Sequence, residues 1–210
     1  MITAREAAAL ACINIYSQQS SFDSLLKAGP DVIGLLQVGD TLCVVPEGSV
    51  DWAMWESNLA IEPMYYPEFG NMEAGFMSSA LNIYAALRPL ITGNVCFAGH
   101  SRGAALCNIL MNLCADDGIA VTQGFLFECP NVGYARYADV CAFNQANGLV
   151  GIVISTTNGL DPVPRVPITP YEKSYPTIEL NQAPGGIEDL NLIDWHIGCT
   201  IYAGVLKCFP

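Results

Sequence analysis

Val95-Cys96-Phe97-Ala98-Gly99-His100-Ser101-Arg102-Gly103-Ala104-Ala105 is the stretch on which the fold turns. A short apolar run, Val95 to Ala98, meets a Gly-x-Ser-x-Gly cluster, and a helical pattern over 102–115 begins at once. Such a strand-to-helix turn lifts a serine hydroxyl above the edge of a sheet. The flanking glycines let two backbones pass closely, and the helix N-terminus favours developing negative charge. The cluster alone is a weak signal, because short motifs recur by chance. Its position between a strand and a helix makes it a strong one, with Ser101 as the nucleophile.

Working outward, Leu42 to Val45, Gly124 to Phe127 and Leu149 to Ser155 are similar apolar runs bounded by turn residues, and they read as buried strands. Helical patterns lie between them at 76–91, 102–115 and 134–145. Strand and helix in alternation predict an α/β fold with a mostly parallel sheet and helices on both faces. Upstream, Ala8, Cys12, Ile15 and Tyr16 share one face of a helix read over 4–26, stopped by Lys27-Ala28-Gly29-Pro30. From Leu160 to Gly186 the chain is proline-rich and irregular, and a last helical pattern starts near Leu192. No repeat or composition break divides residues 1–210, which read as a single domain.

Composition narrows the function. Eight basic against 20 acidic residues give a net charge of −12, which repels a phosphate backbone, so nucleic acid is a poor partner. Apolar residues make up 52% of the chain and charged ones 13%, which excludes disorder. No run is long and apolar enough for a transmembrane segment, and the N-terminus lacks the features of a signal peptide. The nine cysteines are odd in number and sit mostly in apolar stretches. They predict free thiols in the cytoplasm or another reducing compartment. Neither a metal site nor an organic cofactor is expected, since no Cys/His cluster has ligand spacing.

A serine nucleophile needs a base, held in place by a carboxylate. The chain has two histidines. His100, next to Ser101 in a tight turn, should point away from the hydroxyl, which leaves His196. The acids between Ser101 and His196 are Asp116, Asp117, Glu128, Asp139, Asp161, Glu172, Glu179, Glu188, Asp189 and Asp194. Asp161 fits best, one short loop beyond the Leu149–Ser155 strand and stiffened by Pro162 and Pro164. Asp194, two residues from His196, reads instead as a helix cap.

Together these residues resemble the class 3 lipase family of the α/β-hydrolase fold, its bacterial members in particular. The resemblance runs from about Gly48 to His196. It is carried by Gly99–Ala105, by Phe127-Glu128-Cys129-Pro130-Asn131-Val132, and by Asn158-Gly159-Leu160-Asp161-Pro162-Val163-Pro164-Arg165-Val166-Pro167. It implies Asp161 as the triad acid and His196 as the base. It also implies an oxyanion hole formed by Ser49, in Glu47-Gly48-Ser49, and by the backbone N–H of Arg102. Glu47 stands where the family usually has Arg, and Glu73 where it often has His. The family's lid position corresponds to Val50–Leu59, where Trp52, Trp55 and Leu59 share one helical face.

The expectation is therefore a serine esterase or lipase that hydrolyses lipid or other acyl esters through an acyl-enzyme. It would touch a lipid surface transiently; oligomeric state is left open. The alternatives are an acyltransferase using the same triad, and an idle hydrolase-fold binding protein.

Overall fold

In the computed structural model, which describes residues 4–17, 19–48, 62–156 and 163–180, the apolar runs singled out by their glycine and asparagine boundaries are all strands. They are β3 (Thr41–Pro46), β6 (Asn94–His100), β7 (Val121–Phe127) and β9 (Gly151–Thr156), joined by β1 (Ser24–Ala28), β2 (Asp31–Val38) and β11 (Thr177–Leu180). The sheet order is β1-β2-β3-β6-β7-β9-β11. All neighbours from β3 onward run parallel. The expected alternation therefore holds across most of the sheet.

Its other edge differs from the reading. The helix expected over 4–26 is α1, Ala4–Ser17, followed by a 3-10 turn at Gln19–Ser21 and then by strand. Gly29-Pro30 is not a helix stop but a two-residue hairpin loop, with Ala28 paired to Asp31 and Gly29 at φ 62°. Gly39-Asp40 repeats the device between Val38 and Thr41, with Gly39 at φ 61°. Glycine at the first loop position suits a hairpin turn whose twist matches the strands it joins. An antiparallel meander thus precedes the parallel part. The strands β4 (Pro63–Tyr66), β5 (Gly70–Glu73), β8 (Gly133–Tyr134) and β10 (Tyr171–Glu172) form a second, antiparallel sheet in the order β10-β8-β5-β4. Strands of two to four residues carry too little alternation to be read. For the same reason β10 and β11 do not stand out in the proline-rich stretch from Leu160 to Gly186.

Both faces of the main sheet are covered. Against α1 lie Val45, Ala98, Phe127 and Ile154. On the opposite face Val44, Val95, Phe97, Leu126 and Val153 pack against α2 (Ala74–Leu87), α3 (Arg102–Asp116) and α4 (Ala135–Ala146). Glu73 caps α2, its carboxylate accepting from Gly75 N–H at 3.1 Å and Phe76 N–H at 2.6 Å. Burial, the largest influence, pushes this carboxyl above its ordinary pKa, against the pull of the two N–H groups and of Arg102.

Helix α3 is buried from Gly103 to Cys114, so its two interior amides must find partners inside the protein. Tyr137 Oη donates to Asn108 Oδ1 at 2.9 Å. Asn112 Nδ2 lies 2.9 Å from Tyr137 Oη and 2.8 Å from Tyr175 Oη, and Asn144 Nδ2 donates to Asn112 Oδ1 at 2.8 Å. Asn112 thereby ties α3 to α4 and to the segment entering β11.

Candidate active site

Ser101 stands between the end of β6 and the start of α3 with φ 55° and ψ −124°. Its backbone N–H donates to the Phe127 carbonyl at 2.9 Å, and its own carbonyl accepts from Ala104 and Ala105. A serine preceding a helix usually caps it with its hydroxyl. Here the side chain makes no capping hydrogen bond. The helix is entered without consuming the hydroxyl.

The glycines follow from the turn's tightness. A Cβ on Gly99 would fall on the carbonyl of Gly103, and one on Gly103 would lie 2.5 Å from the Pro46 carbonyl oxygen. Strand, helix and the loop leaving β3 therefore meet with no room for side chains. The same crowding brings Gly48 against the turn, since a Cβ there would lie 2.8 Å from the His100 carbonyl oxygen. The chain thus passes beside Ser101 one residue before the expected oxyanion donor, Ser49. Ser49 itself lies outside the described residues, as do Trp52, Trp55, Leu59, Asp161, His196 and the helix expected from Leu192.

His100 is buried and turned toward α1. Its Nδ1 lies 3.4 Å from the Tyr16 hydroxyl, with the two rings edge to face. Burial pushes the Tyr16 pKa up, so the phenol stays neutral. The imidazole therefore points beneath the sheet, away from the turn, as the sequence suggested.

Arg102 divides its roles between main chain and side chain. Its guanidinium reaches Asp31 Oδ1 at 2.6 Å and Ser79 Oγ at 2.8 Å, joining the start of α3 to β2 and α2. Its backbone N–H belongs to the first turn of α3, where N–H groups have no intrahelical acceptor. Glu47, where a family Arg was expected, is half-buried, and burial raises its pKa. Its backbone N–H donates to the Val32 carbonyl at 2.9 Å, fixing the loop to β2.

The chain leaves β9 at Thr156 and is described again at the buried Val163, in a 3-10 turn over Val163–Arg165. Asn131, beyond β7, holds the next residues with two bonds, N–H to the Val166 carbonyl and Nδ2 to the Pro167 carbonyl, both at 2.9 Å. One acid that the sequence reading passed over is fully buried beside the turn. Glu128 follows β7 at φ 48°, and its N–H donates to the Ile154 carbonyl at 2.9 Å. Its position after Phe127 at a strand's carboxyl end was the available signal. Among the described residues no group of three or more His, Cys, Asp or Glu is arranged to hold a metal.

A serine at positive φ, on a glycine-walled turn at the carboxyl end of a mostly parallel sheet, defines a serine hydrolase of the α/β-hydrolase fold. The family model for lipase (class 3) matches residues 43–171, and the chain belongs to that family; it is a serine ester hydrolase of the lipase kind. No curated protein matches the sequence. Among solved structures, the Rhizomucor miehei triacylglyceride lipase is similar at a TM-score of 0.63 and 14% identity, over 85% of this chain and 78% of that one. Lip2 lipase from Yarrowia lipolytica gives 0.65 and 14% over the same shares. A triacylglycerol lipase from Penicillium expansum gives 0.55 and 16%, over 83% and 77%. At these identities the likeness concerns the fold. Among the described residues no helix is long and apolar enough to cross a membrane.

Proposed function

We propose that Ser101, His196 and Asp161 form the catalytic triad of a lipid-ester hydrolase, with Ser49 and Arg102 providing the oxyanion hole. The observation that carries the reading is Ser101 itself, held at positive φ with a hydroxyl that caps nothing. Ser101 Oγ attacks the ester carbonyl carbon while His196 takes its proton, and Asp161 steadies the imidazolium that forms. The carbonyl oxygen, now an oxyanion, is met by the backbone N–H groups of Ser49 and Arg102. The imidazolium then returns its proton to the leaving alkoxide, giving an alcohol and an acyl-serine. Water, deprotonated by the same imidazole, releases the acid.

Support for Ser49 comes from Gly48 beside the turn, and support for Asp161 from the chain's exit at the carboxyl end of β9. Lipids such as acylglycerols are the proposed substrates, in keeping with the family and with the lipases whose fold the chain shares. Transient contact with a lipid surface through Trp52, Trp55 and Leu59 belongs to the same proposal. So does a reducing compartment, which the seven free cysteines among the described residues support.

The test is a series of p-nitrophenyl esters of increasing chain length beside triglyceride and phospholipid emulsions, together with labelling by a serine-directed phosphonate. Wild-type protein should label at Ser101 and hydrolyse esters, and Ser101→Ala should do neither. Asp161→Asn should be impaired more than Asp194→Asn, and the opposite ranking moves the acid to Asp194. A rate that climbs steeply once substrate exceeds its solubility supports the surface contact; a smooth hyperbola removes it.

A further inference from the structure

Cys43 on β3 and Cys96 on β6 are partners in the parallel ladder, opposite each other at one level of the sheet. Their side chains leave the same face. Leu42 and Val44 flank Cys43, Val95 and Phe97 flank Cys96, and all four belong to the core on the side of α2 and α3. Side chains alternate along a strand, so both thiols stand on the face that α1 covers. Val45 and Ala98, two residues further along, lie against α1 there. The two cysteines themselves are only half-buried.

The other described cysteines are in a different state. Cys12, Cys107, Cys114, Cys129 and Cys141 are buried, and burial pushes their thiols up, Cys129 to about 12 and Cys141 to about 11. Such groups hold little thiolate and are inert. Cys43 is shifted the other way, because the hydrogen bond from the Cys96 thiol outweighs burial. The same bond, followed by burial, raises Cys96. The pair is therefore unequal, with Cys43 as the readier nucleophile and Cys96 as its proton-bearing neighbour.

We propose that Cys43 and Cys96 are a redox modification site, where hydrogen peroxide converts the two thiols into a reversible cross-strand disulfide that links β3 to β6. Neighbouring strands lie about 4.8 Å apart, and a disulfide joins Cα atoms about 4.4–6.8 Å apart, so rotation of the side chains suffices. The Cys43 thiolate attacks one peroxide oxygen and the O–O bond breaks. Sulfur is oxidised to a sulfenic acid, the peroxide is reduced by two electrons, and the departing hydroxide takes up the thiol's proton as water. The Cys96 sulfur then attacks the sulfenic sulfur. An S–S bond forms, the S–O bond breaks, and the Cys96 proton leaves with the hydroxide as a second water. A dithiol reductant reverses the bond by exchange and is itself oxidised to a disulfide. The link joins the strand that leads to Gly48 with the strand that leads to Ser101, across 53 positions of sequence, and so restricts the unfolded chain.

The experiment treats the reduced wild-type chain with a slight excess of hydrogen peroxide, blocks the remaining thiols, and maps the peptides by mass spectrometry before and after dithiothreitol. Cys43 should be joined to Cys96, with the loss of two hydrogens, and dithiothreitol should restore both thiols. The oxidised protein should melt about 5 °C or more above the reduced one. Cys96→Ser should stop at the sulfenic acid, which dimedone traps on Cys43, and Cys43→Ser should leave Cys96 unoxidised under the same conditions. The wild-type map decides the matter even where a variant fails to fold. Cys43 still reduced after the buried cysteines have reacted, or joined to a cysteine other than Cys96, overturns the site; an unchanged Tm in the linked protein overturns the bond as a staple of the sheet.

Discussion

Replacing Asp31 with Asn tests how the start of α3 is held. Arg102 Nη1 and Asp31 Oδ1 are 2.6 Å apart, with the side chains 18% and 5% exposed. Removing one partner of a buried pair costs about 3–5 kcal/mol, because the other charge is left without compensation. The residual exposure of Arg102 lets water take up part of that loss, so Asp31→Asn should cost about 2–3 kcal/mol. For a chain of 210 residues the unfolding entropy near the midpoint is about 0.44 kcal/mol per kelvin, which places the fall in Tm at roughly 5–7 °C. Urea unfolding of Asp31→Asn, Arg102→Met and the double variant, followed by far-UV circular dichroism, closes a double-mutant cycle. The coupling should exceed about 1 kcal/mol. Activity should fall in Asp31→Asn as well, because the Arg102 N–H, proposed as an oxyanion donor, begins the helix this pair anchors. A coupling near zero, with kcat unchanged, would refute the reasoning.

Asn112→Ala should cost about 3 kcal/mol or more in urea unfolding, since it strips partners from the hydroxyls of Tyr137 and Tyr175 and from the Asn144 amide; a loss under about 1 kcal/mol contradicts the network. The raised pKa of Glu73 means the folded state holds its proton more tightly than the unfolded chain, whose ordinary value is 4.5. Its contribution to stability is therefore complete below that value and declines as pH rises through the raised one. Glu73→Gln should flatten this part of the stability profile, and an unchanged slope assigns it to other groups. His100→Phe should keep the acid limb of the kcat/KM profile, because the proposed base is His196 and the His100 ring faces Tyr16; loss of that limb would move the role from His196 to His100.

The parallel half of the sheet was legible because β3, β6, β7 and β9 are buried on both faces and so appear as unbroken apolar runs between glycines. The antiparallel edge was not, since β1 is exposed at Ser24, Leu25 and Lys27 and shows no apolar alternation. Gly29-Pro30 punctuates a helix end and a hairpin equally well, and only the pairing of Ala28 with Asp31 separates the two. At the site, the strand-to-helix turn that holds Ser101 and the orientation of His100 were legible from the sequence alone. The burial of Glu128 was not, because it depends on β9 lying beside β7 at a separation in sequence that no local pattern records. Asp31 was likewise silent as a partner of Arg102, to which the sequence assigned only a backbone role.

The walls of the turn also bear on how this sequence can change. Gly99 and Gly103 are fixed by the carbonyls of Gly103 and Pro46, so their requirement is steric and makes no reference to the reaction. The hydroxyl of Ser101 caps no helix, and under the proposed triad it is the reaction that requires it. The two constraints are therefore inherited separately. A descendant that gave up hydrolysis could replace Ser101 with alanine and keep its shape, while both glycines would stay under selection for folding. In such lineages the glycine pair records the ancestry of the sheet, and the residue between them records whether the enzyme still turns over.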